Sequence, residues 1–150
     1  MEIKDHCPDP EQVREIMEGL PDYFTPKALR DAQRDLRKGF LGVFEEDHLM
    51  GFIIHEIRDE ECEILWMAVR VDHRGKGLGS DLLLHLEEIL KDRGIGSIMV
   101  KTLDDSAEYD PYLMTTRFYR DRGFEKIDFI EEIPEWGPGN PCVVFRKELM

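Results

Sequence analysis

Ile64-Leu65-Trp66-Met67-Ala68-Val69-Arg70-Val71-Asp72-His73-Arg74-Gly75-Lys76-Gly77-Leu78-Gly79-Ser80 is the stretch on which the reading of this chain turns. Its first part is apolar on nearly every position rather than on alternate ones, the pattern of a strand covered on both faces. After the glycines, apolar residues recur at Leu78, Leu82, Leu86, Ile89 and Leu90, which is helical spacing. The local order is therefore strand, glycine-rich loop, helix.

Such a loop has a physical use. Glycines at 75, 77 and 79 allow positive φ and let a ligand come within hydrogen-bond distance of the main chain. The first N–H groups of the helix have no partner of their own, and the helix dipole adds roughly half a positive charge, so the place suits a phosphate or diphosphate. Arg74 and Lys76 add formal positive charge. Spacing separates the competing phosphate motifs. A Walker loop needs Gly-Lys-Ser/Thr, but Lys76 is followed by Gly77. A dinucleotide fingerprint needs a third glycine where Ser80 stands, and half of a doubly wound sheet would be missing. What remains is Arg/Gln-x-x-Gly-x-Gly, met by Arg74, Gly77 and Gly79.

In that motif the chain resembles the GNAT superfamily of N-acetyltransferases, where it binds acetyl-CoA. A second motif, Phe118-Tyr119 followed by Gly123-Phe124, looks like the family's last helix and the strand after it, and the likeness covers the whole chain. It implies one α/β domain over residues 1–150, with a mixed central sheet of about seven strands, about four helices, and parallel fourth and fifth strands that splay apart. By the same resemblance, Arg74, Gly75, Lys76, Gly77, Leu78 and Gly79 hold the diphosphate. Backbone groups of Met67, Ala68 and Val69 hold the pantetheine arm in the wedge, and Tyr119 lies near the coenzyme sulfur.

Composition bounds the rest. At 150 residues, 41% hydrophobic and 35% charged, without a linker or repeat, one core of ordinary size is expected. The net charge of -13, with clusters at Glu45-Glu46-Asp47, Asp59-Glu60-Glu61 and Asp104-Asp105, disfavours nucleic acid or an anionic membrane as partner and would attract a cationic acceptor. Solvated turns that keep the protein soluble are the simpler account of the clusters. No apolar run approaches the roughly 18 residues that a membrane span needs, and the start does not read as a secretory signal, so a cytoplasmic location is expected. Cys7, Cys62 and Cys142 fit neither a disulfide framework nor a zinc site, and read as small apolar fillers. No metal is expected.

Along the chain, residues 1–6 read as a short strand, and Asp9-Pro10-Glu11-Gln12 as a helix start with Gln12 reaching back to the cap. A second helix starts at Thr25-Pro26 and closes at Gly39. Extended runs over Phe40–Phe44 and Leu49–Ile57 form a hairpin that leads into the central strand. Gly94 ends the long helix, and a strand follows over Ser97–Leu103. Residues 104–111 form a loop, Tyr112–Arg122 a helix ending at Gly123, and Phe124–Glu132 and Cys142–Leu149 a last hairpin.

Acyl transfer to an amine needs a neutral nucleophile, a polarised carbonyl and a proton for the departing thiolate. Glu63 lies eleven positions before Arg74, where the resemblance places a catalytic glutamate in histone-acetylating members; Glu56 and Glu61 are neighbours with similar claims. Tyr119 is the expected proton donor to the thiolate, with a packing aromatic as its plain alternative. A main-chain N–H of the fourth strand could polarise the carbonyl. His48, His55, His73 and His85 show no ligand or triad spacing. The expected function is acetyl transfer from acetyl-CoA to a small-molecule or protein amine, by direct attack in a ternary complex. The alternatives are a non-catalytic CoA-binding sensor of the same fold and a dinucleotide-binding fragment. A homodimer is common in such families, although no surface stripe demands one.

Overall fold

The structure, a computed structural model, describes residues 1–149. In chain order it has β1 (Glu2–Lys4), α1 (Pro10–Glu18), α2 (Pro26–Asp35), β2 (Phe40–Glu45), β3 (His48–Arg58), β4 (Glu61–Val69), α3 (Leu78–Asp92), β5 (Ser97–Leu103), α4 (Asp110–Asp121), β6 (Glu125–Ile130) and β7 (Cys142–Glu148). The seven strands make one sheet in the order β1-β2-β3-β4-β5-β7-β6, with β4 and β5 parallel and every other pair antiparallel. The expected mixed sheet, four helices and parallel fourth and fifth strands are all present.

Each face of the sheet carries one apolar cluster. On one, Val13, Ile16 and Met17 of α1 and Ala32 of α2 bury against Phe44, Phe52 and Ile54. On the other, Leu82, Leu86 and Leu90 of α3 and Tyr119 of α4 bury against Ile53, Ile98 and Phe145. Cys62 and Cys142 are fully buried free thiols, as fillers should be, and Cys7 is half-buried.

The β4–β5 ladder is short. It runs from Glu61↔Ser97 to Ile64↔Val100 and stops, while β4 stays paired with β3 to Val69 and β5 with β7 to Leu103. The register of β3 against β4 shifts after Ile54↔Trp66, so that Leu65 is one residue too many. Such a bulge bends its strand and increases the local twist. Thus Leu65–Val69 of β4 and Lys101–Leu103 of β5 diverge, and a wedge opens between them.

Three local expectations need correction. Gln12 does not reach back to its cap: its side chain accepts from the Leu49 amide at 2.7 Å and donates to the Asp47 carbonyl, tying α1 to the β2–β3 turn. The α2 helix ends at Asp35, not at Gly39. Gly39 is needed elsewhere, because a Cβ there would stand 2.7 Å from the His55 ring. The last helix begins two residues before Tyr112, at Asp110, with Pro111 in its first turn, where a missing N–H costs nothing.

Candidate active site

The loop after β4 makes a single 3-10 turn, Val71–His73, and then passes through Arg74–Gly77 into α3. Gly75 and Gly77 hold φ of +79° and +81°, which a side chain would strain, and open space surrounds both. Gly79 serves differently. A Cβ on it would stand 3.3 Å from the Phe118 ring and 3.4 Å from the Met67 methyl, so its absence lets α3 start hard against α4 and β4. Leu78 buries its side chain in the core and anchors the helix start. Asp81 N–H closes the first helical bond onto the Gly77 carbonyl at 3.0 Å. The amides of Lys76, Gly77, Leu78, Gly79 and Ser80 have no backbone or side-chain acceptor among the described residues. Five donors therefore face outward at the positive end of a fifteen-residue helix, a ready anion cradle.

Arg74 reaches back over the site. Its guanidinium lies 5.0 Å from the Tyr23 ring centroid and donates to the Tyr23 hydroxyl at 3.4 Å. Tyr23 belongs to the α1–α2 connection, which is clamped to the start of α4. Tyr23 Oη donates to the Pro111 carbonyl at 3.0 Å, Tyr112 Oη to the Tyr23 carbonyl at 2.8 Å, and Tyr109 Oη to the Asp22 carbonyl at 2.5 Å.

On the free part of β4, Met67 and Val69 face α3 while Trp66 and Ala68 face α1 and α2. Trp66 Nε1 donates to Asp35 Oδ2 at 2.9 Å. Burial works to raise the Asp35 carboxyl, but hydrogen bonds from Trp66, Arg34 and Lys38 outweigh it and hold the group below the usual carboxylate value.

Tyr119 lies on the α3 and α4 face, packed among Phe118, Phe124 and Phe145. Its hydroxyl points at Met67 Sδ, 3.7 Å away, and so toward the wedge. Burial, with a smaller contribution from Tyr112, pushes the phenol well above its ordinary value, so it stays a neutral phenol and not a phenolate. Glu63 sits one pair before the ladder ends and, by alternation from Cys62 and Ile64, on the opposite face. Arg58 Nη2 donates to its Oε1 at 2.8 Å, and Lys101 Nζ stands 3.9 Å from Oε2. The two expected catalytic residues are thus on opposite faces of the sheet.

The sequence profile of the Acetyltransferase (GNAT) family matches residues 6–124. The chain belongs to the GNAT acetyltransferase family. Over 64 residues it is 36% identical to a spermidine N(1)-acetyltransferase of Thermoplasma acidophilum, a match spanning 43% of this chain and 40% of that enzyme. It therefore covers less than half the length of that curated relative. Among solved structures, a GNAT-family protein from Desulfovibrio desulfuricans superposes with a TM-score of 0.88 at 21% identity, covering 99% of both chains. An aminoglycoside 6'-N-acetyltransferase complexed with coenzyme A superposes with a TM-score of 0.76 at 15% identity, over 100% of this chain and 98% of that one. These likenesses establish the fold.

In this GNAT chain the glycine loop, Met67, Ala68, Val69 and Tyr119 converge on the end of β4, and Glu63 stands apart from them. Two of the acidic residues expected to draw a cationic acceptor are engaged in local structure. Asp104 accepts from the Ser106 amide and pairs with Lys126; Asp105 accepts from Thr116 and Arg120. A further residue escaped the sequence reading: Arg122, whose guanidinium bonds Ser80 in the first turn of α3. Only its place one residue before the Gly123 signal marks it in the sequence.

Proposed function

We propose that this protein is an N-acetyltransferase that passes the acetyl group of acetyl-CoA to a primary amine by direct attack in a ternary complex. One observation carries the reading: the five acceptor-free amides at Lys76–Ser80 lie beside a strand edge, Leu65–Val69, that lacks a neighbour on the β5 side. The residues present fit the coenzyme, with an anion cradle for its diphosphate and an open main-chain edge for its amide-bearing arm. Bound there, acetyl-CoA supplies an activated thioester. The chain's own groups then have separable tasks. Main-chain N–H groups on β4 polarise the carbonyl, and the Tyr119 hydroxyl gives its proton to the sulfur as the C–S bond breaks. The amine nitrogen forms the new C–N bond and releases its proton to a base or to water on the opposite face, where Glu63 stands.

The acceptor is proposed to be cationic, either a small polyamine-like molecule or a protein amine, met in the cytoplasm. The net charge of -13 and the spermidine-acetylating relative support this. A non-catalytic CoA-binding module is favoured by a different observation: Glu63 is engaged by Arg58 and Lys101, so it does not stand free as a base. An amine panel with a thiol-reactive dye separates the two readings. Release of free CoA that depends on one amine class supports the enzyme. Tight CoA binding with no acceptor-dependent release supports the module.

A further inference from the structure

We propose that Arg122 is a phosphate-binding residue which α4 lends to the glycine loop, acting together with Ser80; the assignment rests on the coenzyme reading above. Arg122 Nε donates to Ser80 Oγ at 2.9 Å, Nη2 donates to the same oxygen, and Nη1 donates to the Phe118 carbonyl at 3.0 Å. The guanidinium lies 3.8 Å from the Phe118 ring centroid. That ring in turn packs against Gly79, so guanidinium, ring and loop lie in one contiguous contact. No carboxylate among the described residues lies within ion-pair distance of Arg122.

Its location sets two helix dipoles against each other: Arg122 caps α4, whose C-terminal carbonyls favour a cation, yet its guanidinium lies at the start of α3. Ser80 is the third residue of α3, and a helix start is the positive end of the dipole, which favours anions and disfavours cations. With no carboxylate among the described residues in reach, the half-buried guanidinium has no counter-ion on the α3 side. An anion bound at the same place would supply that counter-ion. The hydrogen bonding agrees. The two Arg122 donors occupy the acceptor side of Ser80 Oγ, which leaves the Ser80 O–H free to donate elsewhere. Of the guanidinium's N–H groups, one on each terminal nitrogen is also unused. Hydroxyl, guanidinium and loop amides together match phosphate oxygens. The diphosphate and the 3'-phosphate of CoA share that chemistry.

The test measures binding of CoA, 3'-dephospho-CoA and pantetheine by calorimetry, together with the melting temperature of the free protein, for wild type, Arg122→Met and Arg122→Lys. Arg122→Met is expected to weaken CoA about tenfold or more, the size of a lost charge-assisted hydrogen bond. It should leave pantetheine unchanged and not lower the melting temperature; Arg122→Lys should recover part of the affinity. An equal loss for dephospho-CoA points to the diphosphate, and a loss confined to CoA to the 3'-phosphate. A melting temperature that falls while CoA affinity holds, or CoA and pantetheine weakened alike, makes Arg122 a tie between helices and overturns the assignment. Arg122→Lys decides in the same way should Arg122→Met not fold. Wild-type protein that binds no CoA overturns the coenzyme reading as well, whereas wild-type binding that both variants retain overturns this assignment alone.

Discussion

Tyr119 shows how packing and chemistry coincide in one side chain. Only 4% of it is exposed, and its ring is fixed by three phenylalanines, so the hydroxyl has one direction available, toward Met67 and the wedge. The environment that fixes the ring also raises the phenol, and the sign matters. An acid whose value lies above the ordinary 10.0 stays protonated through neutral and mildly alkaline pH, so the O–H is present to hydrogen-bond a developing thiolate, although the same shift makes full proton transfer harder. Tyr119→Phe keeps the ring and removes the proton. We expect kcat to fall about a hundredfold with CoA affinity nearly unchanged, in line with the loss of a positioned general acid. Steady-state kinetics on the best amine of the panel checks this; kcat within a factor of about three of wild type would make Tyr119 a packing residue only. Glu63 has the opposite character. Its partners Arg58 and Lys101 tie it into a local ion-pair network, so it does not stand free as a base.

Elements differ in how far local sequence encodes them. Strand, glycine loop and helix were legible because each is written in neighbouring residues: the apolar run, the glycines whose φ is positive at 75 and 77, the helical spacing from Leu78. The wedge was not. Nothing in the composition of Leu65–Val69 says that the ladder to β5 stops at Ile64↔Val100; that follows from a bulge and from β5 turning toward β7, both long-range facts. It came from family likeness, not from residue pattern. Arg122 was missed for a similar reason, since its contact with Ser80 joins positions 42 apart. The tyrosine clamp between the α1–α2 connection and α4 spans still more, 87 to 89 positions. It fixes Tyr23, on which Arg74 rests, so it couples the α1–α2 connection to the glycine loop. Tyr112→Phe deletes the bond to the Tyr23 carbonyl and should cost about 1 kcal/mol, because it leaves that carbonyl short of a donor. Hydrogen exchange should speed up at residues 20–25 and stay unchanged in α3; unchanged exchange at residues 20–25 would mean that the clamp does not order the loop.

At the scale of the whole molecule, buried acids set the response to pH, and those on the alkaline side share one sign. Burial, with Glu63 adding to it, pushes the Cys62 thiol up to about 12 from an ordinary 9.0. Burial likewise pushes Cys142 to about 11 and Tyr112 to about 12, and raises Tyr119 as well. In every case the folded chain holds the proton more tightly than the unfolded chain does. Below pH 9 both states keep these protons and the groups are neutral in the balance. As pH rises through 9 the unfolded chain releases its thiol protons first, and through 10 its phenol protons, so folding loses stability progressively until the folded values are reached. Each such group contributes at most about 1.4 kcal/mol per pH unit inside its window. From pH 8 to pH 10.5 Cys62 and Cys142 together should therefore remove on the order of 3 kcal/mol, a large fraction of the stability of a domain this size. The urea midpoint should fall steeply over that interval, and the slope of unfolding free energy against pH should decrease by about one proton in Cys62→Ala, whatever that variant costs at neutral pH. A urea midpoint that stays level from pH 8 to pH 10.5 would show that these thiols titrate alike in the folded and unfolded chain, and that the core around Cys62 admits water.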